Sequence, residues 1–236
     1  MFKTRSHQLE RIDTGDYTPA EYDQFLREIS LVNRFAGDNW TLRKTLLREI
    51  ERENLKAFSV LDVGAGSGEL LRTIAKFARK QNRKASLFGL ELNARSAAAI
   101  LEESKNFMEI CAVRGDALCL PFADNAFDYA ICSLFTHHFT DENIGQILDE
   151  MARVSRRKIF VIDLHRHRVA YFFYTTVGKI FLRGSLVRQD GALSILRSFK
   201  PSELEKLGHK ANLAEISVAR HFPFRLVLQA KANVSK

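Results

Sequence analysis

Cysteine, proline and tryptophan are scarce in this chain of 236 residues, with three, four and one copies respectively. The three cysteines, Cys111, Cys119 and Cys132, are odd in number and form no C-x-x-C pair, which argues against a disulfide framework and a cysteine zinc site. No apolar run reaches the length of about twenty residues that a membrane-spanning helix needs. Residues 1–10 are polar and lack the apolar centre of a signal peptide, so a cytoplasmic location is predicted.

Long runs of one charge and internal repeats are absent as well. Lys and Arg outnumber Asp and Glu by 36 to 28, which gives a formal net charge of +8, but no run of basic residues reaches five. We interpret the excess as solvated helix faces, although RNA, an anionic substrate or a membrane surface stays open as a partner. A hydrophobic content of 46% is typical of a globular protein, and the length suits one α/β domain with additions.

The stretch from Val60 to Leu71 predicts a buried strand, a glycine turn and the beginning of a helix. Three of its residues, Gly64, Gly66 and Gly68, allow the backbone to turn sharply because glycine has no Cβ in the way. Their G-x-G-x-G spacing differs from the G-x-G-x-x-G of dinucleotide-binding turns. Asp62 ends the strand, and its carboxylate suits a ligand with positive charge better than a diphosphate.

The segment Leu61-Asp62-Val63-Gly64-Ala65-Gly66-Ser67-Gly68 resembles the first motif of the class I S-adenosylmethionine-dependent methyltransferases. Their cofactor carries an ammonium group, a sulfonium, a ribose and an adenine, but no phosphate. The resemblance implies that the amino-acid tail of the cofactor binds at the strand end and the turn, which involves Asp62, Gly64, Ala65, Gly66 and Gly68. It also implies a Rossmann-like fold, a doubly wound and mostly parallel α/β sheet of seven strands.

Two further acidic residues complete the cofactor site that the resemblance implies. A second strand over 85–91 ends in Glu91, where an acid accepts hydrogen bonds from both ribose hydroxyls, and Leu92 follows it. Dinucleotide enzymes also use an acid at this place, and a solvent-facing strand end is the plain alternative. After a third strand over 109–113, the family's Gly-Asp-Ala motif assigns Asp116 to the adenine amino group and the Ala117 amide to the ring, although Gly-Asp is also ordinary turn chemistry.

Two later stretches resemble the small-molecule group of this family, which includes enzymes of ubiquinone and menaquinone biosynthesis. Leu120–Asp128 is similar to its L-P-F-x-D-x-x-F-D pattern, and Ser133–His138 to its S-L-H-H stretch. The chain has neither the Pro-Pro of nucleobase amino-methylating enzymes nor the Pro-Cys of cytosine C5 enzymes. Because ligands lie beyond the carboxyl ends of the strands, Cys132 and Ser133 are expected beside the cofactor.

A histidine at the end of the fourth strand can remove a proton from a hydroxyl as the methyl group arrives, because its pKa suits this task at neutral pH. The candidates for this base are His137 and His138, with His165 in reserve. The alternative is that one of them packs in the core or caps the next helix. A metal site made from Asp163, His165 and His167 is disfavoured because two neighbouring arginines repel a cation, so no metal is predicted.

An aromatic stretch of fourteen residues, Val169–Leu182, follows the predicted fifth strand over 159–163. It is too short to span a membrane, and arginines flank it on both sides. We expect the segment at about 166–198 to form a helical cap over an apolar pocket, with core packing of an extra helix as the alternative. Such a cap favours a lipophilic or aromatic acceptor, for example a quinone precursor, and allows peripheral contact with a membrane.

The remaining pattern predicts helices ahead of the first strand and a hairpin at the end of the chain. Residues 1–56 are expected to form an N-terminal helical lid, whose first part, 1–16, is mobile or draped over the surface. Residues 57–236 are expected to form the methyltransferase domain. Its last elements are a loop with a short helix over 188–198, a helix from Pro201, and two antiparallel strands over 214–220 and 224–230.

These features predict an enzyme that transfers a methyl group from S-adenosylmethionine to a small, apolar or aromatic acceptor, at oxygen or carbon. The first rival is an RNA methyltransferase, which the net charge suggests and which requires a contiguous basic face. The second is a non-catalytic binding protein of the same fold. The third, a dinucleotide oxidoreductase, is disfavoured by Asp62 and Glu69. The identity of the acceptor and the oligomeric state stay open.

Overall fold

The computed structural model describes residues 2–35, 37–211 and 213–232 of the chain. Within these residues, seven strands form one sheet in the order β3-β2-β1-β4-β5-β7-β6. The strands are β1 (Ala57–Val63), β2 (Lys84–Glu91), β3 (Ile110–Arg114), β4 (Phe127–Ser133), β5 (Ser155–Leu164), β6 (Ala214–His221) and β7 (Arg225–Lys231). Strands β1 to β5 are parallel, and β7 pairs antiparallel with both β5 and β6. The predicted doubly wound sheet and its final hairpin are therefore confirmed.

Helices cover both faces of this sheet. They are α1 (Arg11–Thr14), α2 (Pro19–Phe35), α3 (Asp38–Leu42), α4 (Arg48–Arg52), α5 (Glu69–Lys80), α6 (Ala94–Glu103), α7 (Asp141–Val154), α8 (Arg168–Phe181), α9 (Ser185–Arg197) and α10 (Pro201–Lys210). A π-helical segment, Arg43–Leu47, joins α3 to α4, so the backbone stays helical from Asp38 to Arg52. A 3₁₀ turn, Thr136–His138, follows β4.

Each face of the sheet is covered by its own cluster of buried apolar side chains. Along β1, Val60 packs with residues of α4 and α5, whereas Leu61 packs with residues of α7 and α10, because successive strand side chains point to opposite faces. Both side chains are fully buried, and such burial contributes about 1.5–3 kcal/mol per residue. Burial on both faces explains why the central strands read as continuous apolar runs.

Local hydrogen bonds define several element ends. Thr18 and Glu21 form a capping box at the start of α2, with the Thr18 N–H donating to the Glu21 carboxylate at 2.8 Å. Asp128 has a structural role at the start of β4. Its carboxylate accepts a hydrogen bond from the Ser59 N–H at 2.8 Å and so ties β4 to β1.

The N-terminal segment lies against the rest of the protein. Of the two states predicted for residues 1–16, mobile or draped, the structure has the draped one. The Ser6 N–H donates to the Leu196 carbonyl at 2.9 Å, and Glu10 is only 2% exposed. This segment therefore closes over α9 and the end of β4 instead of extending into solvent.

Helix α9 replaces the loop with a short helix that we expected over 188–198. Gly191 reads as a break in the sequence, but a Cβ at this position would lie 2.0 Å from the Tyr174 hydroxyl. The glycine is thus required for the contact between α8 and α9. Asp190 also obscures the pattern, because it is buried and accepts hydrogen bonds from the first two N–H groups of α1 at 3.0 Å each.

Candidate active site

The carboxyl ends of β1, β2, β4 and β5 meet at one edge of the sheet. Asp62 lies there on β1, Glu91 on β2 and Asp163 on β5. Strand alternation places Asp62 and Glu91 on the face covered by α5 and α6, and Asp163 on the face covered by α7. The predicted acidic residues therefore gather at the edge where doubly wound sheets bind their ligands.

The glycine turn after β1 presents bare backbone at this edge. Gly64, Gly66 and Gly68 have φ values of 70°, 58° and 80°, in the left-handed region that favours glycine. A Cβ on Gly64 would lie 2.3 Å from the ring of Phe135, whereas a Cβ on Gly66 would meet nothing within 4 Å. The turn is thus packed at its first glycine and open at its second. Open space over backbone is what a bound cofactor tail requires.

Glu91 is fastened to this turn. Its Oε1 accepts a hydrogen bond from the Gly66 N–H at 2.6 Å. Burial raises the pKa of Glu91 to about 7, although the backbone N–H groups of Gly66, Asn93 and Leu92 act in the opposite direction. The next residue, Leu92, is 65% exposed and offers an apolar surface beside the carboxylate. Glu91 can therefore accept hydrogen bonds from a neutral polyol such as a ribose.

Asp62 is a buried carboxyl group whose hydrogen bonding is incomplete. It is 2% exposed, and its Oδ1 has no hydrogen-bond partner among the described residues. Burial, together with the charge of Glu91, raises the pKa of Asp62 to about 8. An unpaired buried carboxylate is strongly unfavourable, and a cationic group placed beside it removes this penalty. The site therefore fits a ligand that brings an ammonium group.

The loop after β3 brings Asp116 and Ala117 to the same region. The Gly115 N–H donates to the Glu91 carbonyl at 3.0 Å, which joins this loop to the end of β2. Asp116 is exposed, and its Oδ1 accepts a hydrogen bond from the Leu118 N–H at 2.9 Å. Ala117 is buried at 5% exposure. Asp116 thus has the turn contact that we gave as its alternative role, and its second carboxylate oxygen is the one that can serve an adenine amino group.

Cys132 and Ser133 occupy the end of β4, between the two buried aspartates. Cys132 is fully buried. Burial and the charges of Asp163 and Asp62 raise the pKa of its thiol well above the usual value. The thiol is therefore a small neutral group near these two acids, and Ser133, at the end of the strand, is half-buried.

The 3₁₀ turn after β4 is bound to Asp163. This fully buried carboxylate accepts hydrogen bonds from the Thr136 hydroxyl at 2.6 Å and from the His137 N–H at 3.1 Å, both through Oδ2. Its Oδ1 lies 2.6 Å from His137 Nδ1. Burial opposes ionisation, but the charge of His137 and these hydrogen bonds lower the pKa of Asp163 to about 2. The carboxylate of Asp163 is therefore ionised, and it orients the ring of His137.

The N-terminal segment supplies a carboxylate to these histidines that the sequence did not reveal. Glu10 Oε1 lies 4.0 Å from His137 Nε2 and 3.9 Å from His138 Nδ1, and it has no hydrogen bond among the described residues. Its other oxygen accepts a hydrogen bond from the Ser194 hydroxyl at 2.9 Å. Burial raises the pKa of Glu10 to about 7. Since both ring nitrogens of His137 face carboxylates, this histidine reaches an acceptor only if the segment above it moves.

Arg197 connects the N-terminal segment to the histidine turn. It donates to the carbonyls of His137 at 3.1 Å and His138 at 2.6 Å, and to the carboxylate of Asp13 at 2.5 Å. His138 Nδ1 lies 2.8 Å from the other oxygen of Asp13. Glu10, Asp13 and Arg197 lie far from the histidines in sequence, so no local spacing indicates them.

His165 is not brought together with His137 and His138. It lies in a separate cleft of about 660 Å³, next to His167, Lys200 and Arg220. Burial, followed by the charges of these neighbours, lowers its pKa. A base in this cleft would act on a different ligand position from a base at the end of β4.

A metal site can also be considered at the end of β4. The side chains of Glu10, His137 and His138 place three ligand atoms within 4.8 Å of one another. However, Arg197 lies 3.7 Å from Glu10 Oε1 and already supplies positive charge there. The cluster is therefore explained as a network of hydrogen bonds and ion pairs.

Comparison with known proteins identifies the domain that carries this edge. Residues 60–158, from β1 to the first part of β5, match a family described as Methyltransferase domain. The matched residues include the glycine turn, Asp62, Glu91 and Asp116. This match supports the predicted methyltransferase family.

The chain is similar to curated methyltransferases. A demethylmenaquinone methyltransferase from Shouchella clausii is 28% identical over 139 residues, which are 53% of this chain and 57% of that protein. A ubiquinone/menaquinone biosynthesis C-methyltransferase from Hahella chejuensis is 30% identical over 156 residues, which are 60% of this chain and 59% of that protein. The chain therefore spans little more than half the length of these relatives.

The chain also shares its fold with solved structures. Magnesium protoporphyrin IX methyltransferase from Synechocystis PCC 6803, determined with bound SAM, aligns with a TM-score of 0.60 over 98% of this chain and 100% of that chain. The sequence identity is 13%, so the likeness concerns the fold alone. The predicted fold is confirmed, and the match over residues 60–158 supports the predicted family.

The roles of single residues in the methyltransferase domain stay predictions. The same is true of the lid over residues 1–56 and the cap at about 166–198. These two segments contact each other, since the Glu28 carboxylate accepts a hydrogen bond from the Gly184 N–H at 3.1 Å. Both segments lie near the carboxyl edge of the sheet, next to the end of β5.

Proposed function

We propose that the protein transfers a methyl group from S-adenosylmethionine to a small, apolar or aromatic acceptor. The observation that carries this proposal is the unpaired, buried carboxyl of Asp62 beside Glu91 at an open glycine turn. Such a site suits a cationic nucleoside better than a diphosphate. The names of the two relatives, which refer to menaquinone and ubiquinone, favour a quinone-type acceptor.

The residues at the carboxyl edge fit this cofactor. Asp62 would pair with its ammonium group, Glu91 would accept hydrogen bonds from the ribose hydroxyls, and Asp116 and the Ala117 N–H would take the adenine, which lies on Leu92. When bound, the cofactor supplies a sulfonium methyl group for in-line displacement. The protein would align the two reactants and exclude water.

For transfer to oxygen, we propose that His138 is the general base. Because the carboxylate of Asp13 only accepts hydrogen bonds, His138 Nδ1 carries the proton of the neutral ring and Nε2 keeps the free electron pair. The side chain of His138 is 22% exposed, against 3% for His137. His137, bound to Asp163, would position this turn, and the same groups would serve transfer to an activated ring carbon.

A transfer assay tests the proposed reaction. Purified protein is incubated with S-adenosylmethionine labelled in the methyl group and with panels of alkyl phenols, quinols and RNA. At a cofactor concentration near its Kd, we expect label in the phenols or quinols and about 10–100-fold slower labelling with the Asp62→Asn variant. Transfer to RNA alone, or to no acceptor, contradicts the proposal.

A pair of histidine variants tests the base. We expect His138→Asn to lower kcat for a phenol about 10²–10⁴-fold, and to remove the dependence of the rate on a single basic group, while cofactor affinity stays unchanged. His165→Asn is the matched control, since its cleft is separate, and its rate should equal that of the wild type. If His165→Asn loses the rate instead, the base lies in the His165 cleft.

A further inference from the structure

Helix α8 carries a stripe of exposed apolar side chains that methyl transfer at the carboxyl edge does not explain. Val169, Phe172, Phe173 and Ile180 are 56%, 69%, 60% and 77% exposed. With Thr176, they lie within an arc of about 100° around the helix axis, given 3.6 residues per turn. The Thr176 hydroxyl donates to the Phe172 carbonyl at 2.6 Å, so it leaves no free donor on the stripe. A continuous apolar stripe marks an interaction surface.

The opposite side of α8 is the one that packs on the protein. Ala170 is buried, and the Tyr174 hydroxyl donates to the Val187 carbonyl of α9 at 2.5 Å. The ring of Tyr171 meets the ring of Phe2 edge-on, with centroids 5.6 Å apart. These contacts determine how the helix is rotated, and they keep the apolar stripe facing outward.

The segment that contains α8 carries charge of one sign. From Leu164 to Gln189, the sequence contains five Lys or Arg and neither Asp nor Glu. Arg168 and Arg183 are exposed near the two ends of α8, and Arg188 is exposed on the first turn of α9. The Glu28 carboxylate of α2 lies beside this segment at Gly184, but the segment itself carries cations and no acids. An apolar helical stripe in such a segment matches the chemistry of an anionic lipid surface, in which phosphates lie above acyl chains.

The position of α8 connects this stripe to the site. The helix begins just beyond the carboxyl end of β5, at the sheet edge that holds Asp62 and Glu91. Within the part of the chain that the structure describes, no helix combines the length and the apolar character needed to cross a bilayer. An apolar helix of this kind is suited to lie along the surface of a membrane.

We infer that α8 is a docking surface for an anionic membrane, with its apolar stripe in the acyl boundary and its arginines among the lipid phosphates. Docking would hold the carboxyl edge of the sheet close to the bilayer, where an apolar acceptor accumulates. That link to the acceptor rests on the proposed function, whereas the docking itself depends only on α8 and its charges.

Vesicle co-sedimentation of the protein, with neither cofactor nor acceptor present, tests this inference. The vesicles contain one part phosphatidylglycerol to three parts phosphatidylcholine. We expect the protein to bind them, and the double variant Phe172→Ala/Phe173→Ala to bind at least about tenfold more weakly. The matched control, Leu101→Ala/Met108→Ala, removes side chains that are 53% and 90% exposed elsewhere on the surface, and it should bind like the wild type.

The charge arm uses a second variant and a second lipid. Arg183→Gln/Arg188→Gln should weaken binding to the anionic vesicles about fivefold for each arginine at low salt. Vesicles of phosphatidylcholine alone should bind the wild type more weakly. On these vesicles, the wild type and Arg183→Gln/Arg188→Gln should bind with nearly equal affinity. Equal binding of the wild type and the phenylalanine variant to anionic vesicles overturns the inference.

A second copy of the chain is the other occupant that the test distinguishes. If sedimentation velocity gives a dimer that Phe172→Ala/Phe173→Ala abolishes, and the wild type does not bind vesicles, the stripe is a self-association surface and the inference is wrong. Because no methyl transfer takes place in these measurements, a negative result leaves the proposed reaction unaffected.

Discussion

Replacing Asp62 with asparagine is expected to stabilise the free protein at pH 7 and to remove most of its affinity for the cofactor. Asp62 is buried, one of its oxygens has no partner among the described residues, and its pKa is raised to about 8 from an ordinary value of 3.8. The folded state therefore holds a proton that the unfolded state gives up at neutral pH. Asparagine is neutral in both states and avoids this difference.

The size of the effect follows from the ionisation equilibria. Moving the pKa from 3.8 to about 8 lowers the stability by about 4 kcal/mol at pH 7, at 1.36 kcal/mol for each tenfold change. The amide of the substituted side chain would leave a donor unpaired in the same place, at a cost of about 2 kcal/mol. We therefore expect a net gain of about 2 kcal/mol for Asp62→Asn at pH 7.

The gain has a defined dependence on pH. A carboxyl group whose pKa is raised on folding costs nothing below its unfolded pKa, and its cost grows as the pH rises towards the folded pKa of about 8. The difference between Asp62→Asn and the wild type should therefore change sign near pH 5, at roughly the pH where the two opposing terms are equal. Above pH 8 it should be constant.

Asp163 provides the matched control at the same edge of the sheet. It is equally buried, but its pKa is lowered to about 2 by His137 and by hydrogen bonds that outweigh burial. The ionised Asp163 stabilises the folded state above the unfolded pKa, and this stabilisation is lost as the pH falls towards about 2. Asp163→Asn should therefore destabilise the protein by about 2–3 kcal/mol at pH 7, which is the opposite sign.

Urea unfolding at pH 4.5, 7 and 8.5, with calorimetric titration of S-adenosylhomocysteine, measures both effects. We expect the Asp62→Asn midpoint to rise at pH 7 and the affinity to fall about 10–100-fold, the usual loss for a charge-assisted hydrogen bond. Loss of stability in Asp62→Asn comparable to that in Asp163→Asn, or an unchanged affinity, would refute the reasoning.

Three further predictions concern the turn and the N-terminal segment. Gly64→Ala should lower the free energy of unfolding by about 3 kcal/mol, because its Cβ meets Phe135 at 2.3 Å, whereas Gly66→Ala should lose only about 1 kcal/mol through backbone strain; equal losses would contradict this. Glu91→Gln should weaken cofactor binding at least about tenfold by calorimetry, and an unchanged affinity would remove Glu91 from the site. The stability of Glu10→Gln relative to the wild type should rise by about 2–3 kcal/mol between pH 5 and pH 8, because the pKa of Glu10 is raised from 4.5 to about 7; urea midpoints check this, and a difference that does not change with pH would argue against it.

Most of the sheet and the cofactor edge could be predicted from the sequence because their signals are local. The glycine turn, the acids at the ends of β1 and β2, and the final hairpin each follow from a few adjacent residues. Parallel strands buried on both faces produce apolar runs that are easy to recognise. The position of one motif then determines where the next strand end must lie.

The histidine surroundings could not be predicted because they depend on contacts between distant parts of the chain. Glu10 and Arg197 approach His137 from opposite ends of the sequence, and neither belongs to a motif. Helix α9 escaped prediction since the glycine and the buried aspartate inside it serve neighbouring elements, not the helix itself. Residues of this kind depart from a local helix pattern because they make contacts with other elements of the fold.

The most direct test of the central claim is the proton balance of cofactor binding. Titration of the protein with S-adenosylhomocysteine at pH 7, in buffers of different ionisation enthalpy, gives the number of protons released. We expect binding to release about one proton, because an ammonium group beside Asp62 forces that carboxyl, whose pKa is about 8 in the free protein, to ionise. Binding without proton release, or a preference for NAD over the nucleoside, would contradict it.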